Sequence, residues 1–143
     1  MTRVALVQVA SPDGESRDER ISRVERMLMA RAGEGIEMFV LPELWAAGYL
    51  AFKHYDQLAE PLDGPTVSMC RRVARELGAW VHAGSFIERD DAGELHNTAV
   101  LVDPEGRIAQ SYRKIHVFGY RSREAQLLSP GTELSVVDSP LGP

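Results

Sequence analysis

Hydrophobic positions in the first part of the chain fall first into a strand-like run and then into a helix-like stripe. Residues 3–9, rich in valine and leucine, predict a first β-strand. Ser16 stands three residues before Glu19, which is the spacing of a helix capping box. Apolar residues then recur at steps of three and four, at Ile21, Val24, Leu28 and Ala32. This spacing predicts an amphipathic helix, which the glycines at 33 and 35 end.

The same alternation continues through a second strand and a second helix. Residues 36–41 predict a strand that ends at Pro42, because proline has no N–H to donate to a sheet. Pro65 suits the first position of a helix, and Gly78 suits its end. The apolar stripe of this second helix consists of Val67, Cys70, Ala74 and Leu77.

Four further strands follow the second helix in our prediction. They cover residues 79–87, 98–102, 108–112 and 133–138, and a long loop over 113–131 separates the last two. The resulting order, β-α-β-α-β-β-β-β, favours parallel pairing in the first half, with the helices on one face, and a meander in the second. We therefore predict one α/β domain over residues 1–143.

Composition and charge narrow the possible partners and compartments. The chain is 44% hydrophobic and 26% charged with a net charge of −5, and its basic residues are scattered, which argues against nucleic-acid and anionic-membrane partners. Its one cysteine, Cys70, excludes an intrachain disulfide and fits a reducing compartment. The apolar run at the N-terminus is too short for a membrane span and has no clear cleavage site, so we interpret it as a buried strand. We expect a cytoplasmic protein.

Two charged residues directly after predicted strands are candidates for chemistry. Glu43 follows the second strand and Pro42, at the carboxyl end where ligands of open α/β sheets bind; a solvated loop carboxylate is the alternative. Lys114 follows the fifth strand among aromatic and apolar residues, where a partly buried ammonium requires a carboxylate partner. The alternative for Lys114 is a lysine that extends its charged head into water.

The remaining reactive side chains carry weaker local signals. Glu124 lies in the long loop, and its neighbours favour a solvated charge paired with Arg121 or Arg123. Cys70 lies on the apolar stripe of the second helix, so we expect a buried, unreactive thiol. The four histidines show no metal-ligand spacing, and no glycine-rich phosphate loop follows the first strand.

Several short blocks resemble the nitrilase superfamily of carbon–nitrogen hydrolases, in the same order and spacing and over the whole chain. The blocks are residues 4–8, Leu41-Pro42-Glu43-Leu44 with Gly48-Tyr49, residues 62–65, 97–100 and 103–106, Tyr112-Arg113-Lys114 and Pro130-Gly131. The resemblance implies the N-terminal half of a four-layer α-β-β-α sandwich with mixed sheets. The Pro-Glu-Leu block with its Gly-Tyr pair is similar to the amidase branch.

The resemblance also implies a Glu-Lys-Cys triad that hydrolyses a non-peptide carbon–nitrogen bond through a thioester. It places the general base at Glu43, the oxyanion-stabilising lysine at Lys114 and a further glutamate at Glu124. It implies no metal or organic cofactor, a small amide- or nitrile-like substrate, and a homo-oligomer, in the simplest case a homodimer. Candidates for lining the substrate pocket are Tyr49, Phe118 and Tyr120.

The family's nucleophilic cysteine has no counterpart in these residues. It belongs on an elbow after the next strand, which would begin about where Leu141, Gly142 and Pro143 stand, and Cys70 matches neither its position nor its context. We therefore expect a domain truncated before the nucleophile strand, inactive as given and with an uncovered sheet face. Two alternatives stay open: a catalytically inactive fragment that acts as a structural module, and an α/β binding domain of another family.

Overall fold

A mixed five-stranded sheet forms the centre of the molecule. The computed structural model describes residues 1–120 and 122–143, so Arg121, one of the two arginines considered as partners of Glu124, lies outside the described residues. The strands, in spatial as well as chain order, are β1 (Val4–Leu6), β2 (Met38–Val40), β3 (Trp80–Arg89), β4 (Leu95–Val102) and β5 (Ile108–Arg113). β1, β2 and β3 pair in parallel, and β3, β4 and β5 form an antiparallel meander, as the sequence pattern predicts.

Two helices of 13 residues, α1 (Arg17–Met29) and α3 (Pro65–Leu77), pack against each other on one face of the sheet. The predicted capping box is confirmed, because the Ser16 hydroxyl accepts from the Glu19 N–H and the Glu19 carboxylate accepts from the Ser16 N–H. Pro65 begins α3 and Gly78 ends it in a left-handed conformation, also as predicted. Among the described residues, no helix is long and apolar enough to cross a membrane.

The main core lies between these helices and the sheet. Its buried members include the predicted stripes, which are Ile21, Val24 and Leu28 of α1 and Val67, Cys70 and Ala74 of α3. A second, smaller cluster lies under the loops that carry the candidate site and consists of Leu44, Ala47, Tyr55, Ile87 and Leu128. Two short helices border this cluster, α2 (Tyr55–Leu58), which follows a 3₁₀ turn at Phe52–His54, and α4 (Glu124–Leu127).

Within residues 1–120 and 122–143, no helix covers the other face of the sheet. Successive side chains of a strand point to opposite faces of the sheet. The residues next to the core positions therefore point away from the helices, and across the five strands they form a row. The row is made of cross-strand partners, namely Leu6, Val40, His82, Leu101 and Gln110. The C-terminal segment crosses this face. At one edge, the Gln110 side chain of β5 donates to the Ser135 carbonyl. At the other edge, the hydroxyl of Thr2, beside β1, donates to the Pro140 carbonyl.

Three details of the sequence prediction are wrong. Residues 133–138 form no strand, since Leu134 and Val136 are exposed and the segment meets β5 through the Gln110 side chain instead of a backbone ladder. The first strand is an edge strand with Leu6 79% exposed, not a buried one. Ala32 lies beyond the end of α1 and is exposed. The pattern did not indicate α2 and α4, because four-residue helices are too short to show a helical period.

Candidate active site

A bulge in β3 shapes the turn that carries Glu43. The pairing register of β3 with β4 shifts between His82 and Ser85. At this bulge the Ser85 N–H donates to the Pro42 carbonyl at 3.2 Å, and the Ser85 hydroxyl accepts from the Leu44 N–H at 3.1 Å. These bonds hold the backbone on both sides of Glu43, so the carboxylate projects from a fixed turn at the carboxyl end of β2.

The bulge depends on a glycine, and the turn itself is strained. Gly84 has a φ of +66°, and a Cβ at this position would overlap the carbonyl oxygen of Pro42. Leu44, directly after Glu43, also has a left-handed φ of +51°, which is uncommon for a residue with a side chain. Because Leu44 is fully buried in the second cluster, packing there holds this conformation in place.

Lys114 is held at the end of β5 through its own backbone. Its N–H donates to the Asn97 carbonyl of β4 at 2.8 Å, and its carbonyl accepts from the Gly131 N–H at 3.0 Å. The preceding residue, Arg113, is fixed by two hydrogen bonds of 2.9 and 2.7 Å to the buried Glu88 carboxylate. The side chain of Lys114 therefore leaves a well-anchored strand end, with 25% of its surface exposed.

Glu124 is buried, with only 2% of its surface exposed, so the local interpretation of a solvated loop charge is wrong. It begins α4, and its N–H donates to the Ser122 hydroxyl at 3.1 Å. Its carboxylate accepts from the Phe118 N–H at 3.2 Å and forms a salt bridge with Lys114. Glu124 therefore lies beside Lys114, and the site role that the resemblance implies for it stays a prediction.

Lys114 was predicted to need a carboxylate partner, and it has two, Glu43 and Glu124. Lys114 Nζ lies 2.9 Å from Glu43 Oε1 and 3.0 and 3.3 Å from the two carboxylate oxygens of Glu124. Asn97 Nδ2 also donates to both glutamates, at 2.7 Å to Glu43 and 3.2 Å to Glu124. Four side chains from four separate segments thus form one hydrogen-bonded ring. Glu43 is the most accessible of the three charged members, with 44% of its side chain exposed.

Electrostatics keep the lysine of this ring protonated. Burial alone would lower the pKa of Lys114, but hydrogen bonds to Glu43 and Glu124 outweigh it and hold the pKa above its usual value. The ammonium therefore stays charged throughout the neutral range. Two carboxylates share this one cation, so with both ionised the ring carries one uncompensated negative charge.

A pocket of about 210 Å³ opens beside the ring. Its lining residues are Leu41, Glu43, His82, Gly84, Ser85, Asn97, Ala99, Tyr112 and Lys114. The three predicted pocket residues, Tyr49, Phe118 and Tyr120, are exposed and are not among the described residues that line it. Their part in substrate binding stays a prediction.

His82 is a neutral hydrogen-bond donor at this pocket. Burial lowers its pKa, and its Nδ1 accepts from the Gly84 N–H at 3.1 Å. A neutral imidazole whose Nδ1 is an acceptor carries its proton on Nε2. Sequence reasoning did not single out His82 as a site residue, since a lone histidine in a strand has no distinguishing pattern.

Cys70 is buried in the core, away from this pocket. Its side chain has no exposed surface, and burial raises the pKa of the thiol to about 12. The prediction of a buried thiol is therefore confirmed. A thiol in this state has almost no thiolate at neutral pH and is a poor nucleophile.

A second polar cluster lies at the turn between β3 and β4. Ligand atoms of Asp90, Glu94 and His96 lie within 4.8 Å of one another, a grouping that the sequence spacing did not indicate. His96 Nε2 is 3.2 Å from Asp90 and its Nδ1 is 2.9 Å from the Ser129 carbonyl. The guanidinium of Arg113 lies 3.6 Å from Asp90. Internal pairing thus accounts for Asp90 and His96, and none of the three residues lines the Glu43 pocket.

Comparison with known proteins identifies the family. The model of the carbon–nitrogen hydrolase family matches residues 3–143, and the chain belongs to that family. It is 37% identical over 138 residues to a 2-oxoglutaramate amidase of Paenarthrobacter nicotinovorans, covering 94% of this chain and 46% of that protein. It is 31% identical over 144 residues to the omega-amidase of Homo sapiens, covering 96% of this chain and 51% of the relative.

A solved structure confirms the fold class. A CN-hydrolase superfamily protein from Xanthomonas campestris, solved with an arsenic adduct in its active site, superposes with a TM-score of 0.83 at 29% identity. The match covers 97% of this chain and 49% of that one. Members of the nitrilase superfamily have the same α/β architecture, as expected from the resemblance. The chain spans about half the length of the relatives it matches.

Proposed function

We propose that this chain supplies the general base and the oxyanion-stabilising cation of an amidase. In this proposal Glu43 is the base, Lys114 is the cation and Glu124 supports both. The nucleophile is a cysteine that follows residue 143 in the protein, which completes a Glu-Lys-Cys triad. One observation carries the proposal: the Lys114 ammonium lies between Glu43 and Glu124, at 2.9 and 3.0 Å, beside a pocket into which Glu43 is exposed.

The first half of the reaction needs both charges of the Glu43–Lys114 pair. A thiol of ordinary pKa, about 8.5, is mostly protonated at neutral pH and needs a base to become a nucleophile. Glu43 takes the thiol proton as sulfur attacks the amide carbon and the carbonyl π electrons move onto oxygen. Lys114 stabilises the resulting oxyanion, because its raised pKa keeps it a cation. Glu43 then gives its proton to nitrogen, the C–N bond breaks, and ammonia or an amine leaves.

The second half of the reaction returns the enzyme to its starting state. The acyl group is now a thioester on the cysteine. Glu43, again ionised, takes a proton from water as the water oxygen attacks the thioester carbon. Collapse of this second oxyanion, again stabilised by Lys114, breaks the C–S bond. The thiolate regains a proton from Glu43, and the carboxylic acid product leaves.

The nucleophile is assigned beyond residue 143 because Cys70 is unsuited to the task. Cys70 is buried in the core between α3 and the sheet, and it does not line the pocket. The protein from Xanthomonas campestris supports a thiol in the complete site, since arsenic binds soft sulfur ligands and was found there in the active site. A catalytically inactive structural module remains the second candidate, and it predicts that the natural protein has no cysteine on this pocket.

We propose a small amide as the substrate. Two relatives support this choice, a 2-oxoglutaramate amidase and an omega-amidase, both named for hydrolysis of an amide. The pocket of about 210 Å³ suits a small group around the scissile carbon. We also propose a cytoplasmic protein that works as a homodimer without a metal or organic cofactor.

Ammonia release from a panel of small amides and nitriles tests the proposal. The full-length natural protein should release ammonia from amides, with the rate on the corresponding nitriles lower. Treatment with a chelator should leave the rate unchanged if no metal takes part. Absence of ammonia release from every amide, by a folded full-length protein, would contradict the proposed activity and favour the structural module.

A further inference from the structure

Asn97 occupies the point where the two carboxylates of the site come together. Its side chain is buried, with 3% of the residue exposed. The carboxamide nitrogen has two protons, and it lies 2.7 Å from Glu43 Oε1 and 3.2 Å from Glu124 Oε1. One amide group therefore donates to both glutamates, on the side of the ring opposite Lys114.

The charges of the ring explain why a neutral donor is useful at this position. Lys114 is the ammonium that both carboxylates share, so a second negative charge would be only partly compensated. Hydrogen bonds from N–H groups favour the ionised form of a carboxylate. A second cation would also favour the ionised carboxylates, but it would form a salt bridge with Glu43 and oppose the protonation of this base. The amide stabilises the charge and leaves Glu43 able to accept a proton.

The strand does not need this side chain to pair correctly. The contact between β4 and the start of the Lys114 loop is made by the backbone, with the Lys114 N–H donating to the Asn97 carbonyl at 2.8 Å. Any residue at position 97 preserves that bond. The neighbouring residue, Thr98, points to the opposite face, where its hydroxyl donates to Glu88 at 2.6 Å. The contacts of the Asn97 side chain are thus directed at the carboxylates of the site.

We infer that Asn97 is a positioning residue whose carboxamide donates to Glu43 and Glu124 together and so fixes the Glu43 carboxylate for proton transfer. The inference rests on the proposed function for its catalytic consequence. Its geometric part, the pair of hydrogen bonds from Asn97 to the two carboxylates, can be tested without turnover.

Three variants of the full-length protein separate this role from a structural one. Asn97→Leu keeps the approximate volume and removes both donors, Asn97→Ser keeps one donor, and Thr98→Val removes a buried hydrogen bond of the same strand outside the site. Two quantities are measured for each variant: kcat/KM for an amide as a function of pH, and the ¹³C chemical shifts of the glutamate carboxyl carbons during a pH titration.

The expected results follow from the loss of donors to ionised groups. For Asn97→Leu, kcat/KM at neutral pH should fall about 10- to 100-fold, the range expected for lost hydrogen bonds to charged groups. The acid limb of the profile and the carboxyl titrations at the site should move to higher pH, because an ionised carboxylate loses a hydrogen-bond donor. Asn97→Ser should move the acid limb and the carboxyl titrations in the same direction, but by less. In Thr98→Val, the acid limb and the site carboxyl titrations should stay at the pH values of the wild type.

Failure of the inference and failure of the proposed function give different results. If the wild-type protein releases no ammonia, the proposed function is wrong, and the carboxyl titration alone decides whether Asn97 donates to the two glutamates. Wild-type titration and an unmoved acid limb in Asn97→Leu and Asn97→Ser would overturn the inference. Equal shifts in Thr98→Val would also overturn it, because they would point to a general effect of strand stability. If Asn97→Leu does not fold, Asn97→Ser provides the decision.

Discussion

The ammonium nitrogen of Lys114 lies 2.9 Å from a carboxylate oxygen of Glu43, a residue 71 positions earlier in the chain. Glu43 stands on a strained turn after β2, and Lys114 stands at the end of β5, on the antiparallel side of the same sheet. The mixed sheet brings these two strand ends to one pocket. The pair is therefore a product of topology, and its chemical role can be tested by changing each partner separately.

Removing either charge of this pair should nearly abolish hydrolysis by the full-length protein. Glu43→Gln removes the proposed base and Lys114→Ala removes the proposed oxyanion stabiliser, and each loss should lower kcat by roughly 10²–10³-fold or more. The measurement is ammonia release, with a thermal melt to show that the variant is folded. Glu76→Gln makes the same chemical change on an exposed position of α3 and should keep wild-type turnover. Near-normal rates in Glu43→Gln or Lys114→Ala would overturn the assignment.

Substitution of Cys70 should leave the activity intact. The thiol is fully buried among apolar residues of α3 and the sheet, so Cys70→Ala removes packing and no chemistry. We expect a loss of roughly 1 kcal/mol in stability from the small cavity, with unchanged kcat. Denaturant unfolding and ammonia release measure the two effects. A folded Cys70→Ala protein without turnover would identify Cys70 as the nucleophile and contradict the account.

An alanine at Gly84 should be far more damaging than an alanine at Gly93. Both glycines have a positive φ, +66° and +85°, so both substitutions carry the backbone cost of about 1–2 kcal/mol for a left-handed alanine. A Cβ at Gly84 would in addition overlap the Pro42 carbonyl, whereas a Cβ at Gly93 has no atom within 4 Å. Gly84→Ala should therefore lower the free energy of unfolding by roughly 3 kcal/mol or more, since overpacking adds to the backbone term. It should also displace Glu43 and reduce turnover.

Comparing the two glycine variants isolates the steric part of this prediction. The thermal melting temperature and ammonia release are measured for both proteins. Equal losses of stability, with full activity in Gly84→Ala, would mean that the close approach of Pro42 to β3 does not position Glu43.

Stability should fall in acid as Glu88 is protonated. Burial alone would raise the pKa of Glu88, but hydrogen bonds from Arg113 and Thr98 outweigh it and hold the pKa below its usual value. The unfolded chain therefore binds this proton more readily than the folded protein. The stabilisation is fully present above the unfolded-state pKa of about 4.3 and is lost as the pH falls through the folded-state pKa.

Glu88→Gln tests this pH dependence. The variant should be less stable than the wild type at neutral pH, because Arg113 loses its carboxylate, and the difference should shrink below about pH 4. Denaturant unfolding at a series of pH values measures it. A difference in unfolding free energy that stays constant from neutral pH into acid would show that Glu88 carries no linked proton.

The sequence pattern predicted the features that depend on local physics. A capping box, a proline at a helix start and a glycine at a helix end act within a few residues, so the predicted start of α1 and both predicted ends of α3 are close to those observed. Glu43 and Lys114 could be proposed because each directly follows a strand. A carboxylate partner for Lys114 was predicted, since a partly buried ammonium needs one, but the local pattern did not say which carboxylate it is.

The features that the pattern missed depend on contacts between distant segments. Glu124 reads locally as a loop charge, and only the return of its segment over the end of β4 buries it against Lys114. Asn97 lies between His96 and Thr98 at the polar start of β4, so its sequence position did not distinguish it from these two neighbours. Residues 133–138 carry a strand-like composition but form no ladder, because a strand requires a partner that local sequence does not reveal.

The central claim is that Glu43, as the base, and Lys114, as the oxyanion stabiliser, act with a cysteine beyond residue 143, and trapping the acyl intermediate tests it most directly. The full-length protein is mixed with an amide substrate, quenched in acid and analysed by intact mass and peptide mapping. The account predicts an acyl adduct on a cysteine that follows Pro143, and no adduct when Glu43 is replaced by glutamine. An adduct on Cys70, or rapid hydrolysis by a protein with no cysteine after Pro143, would contradict it.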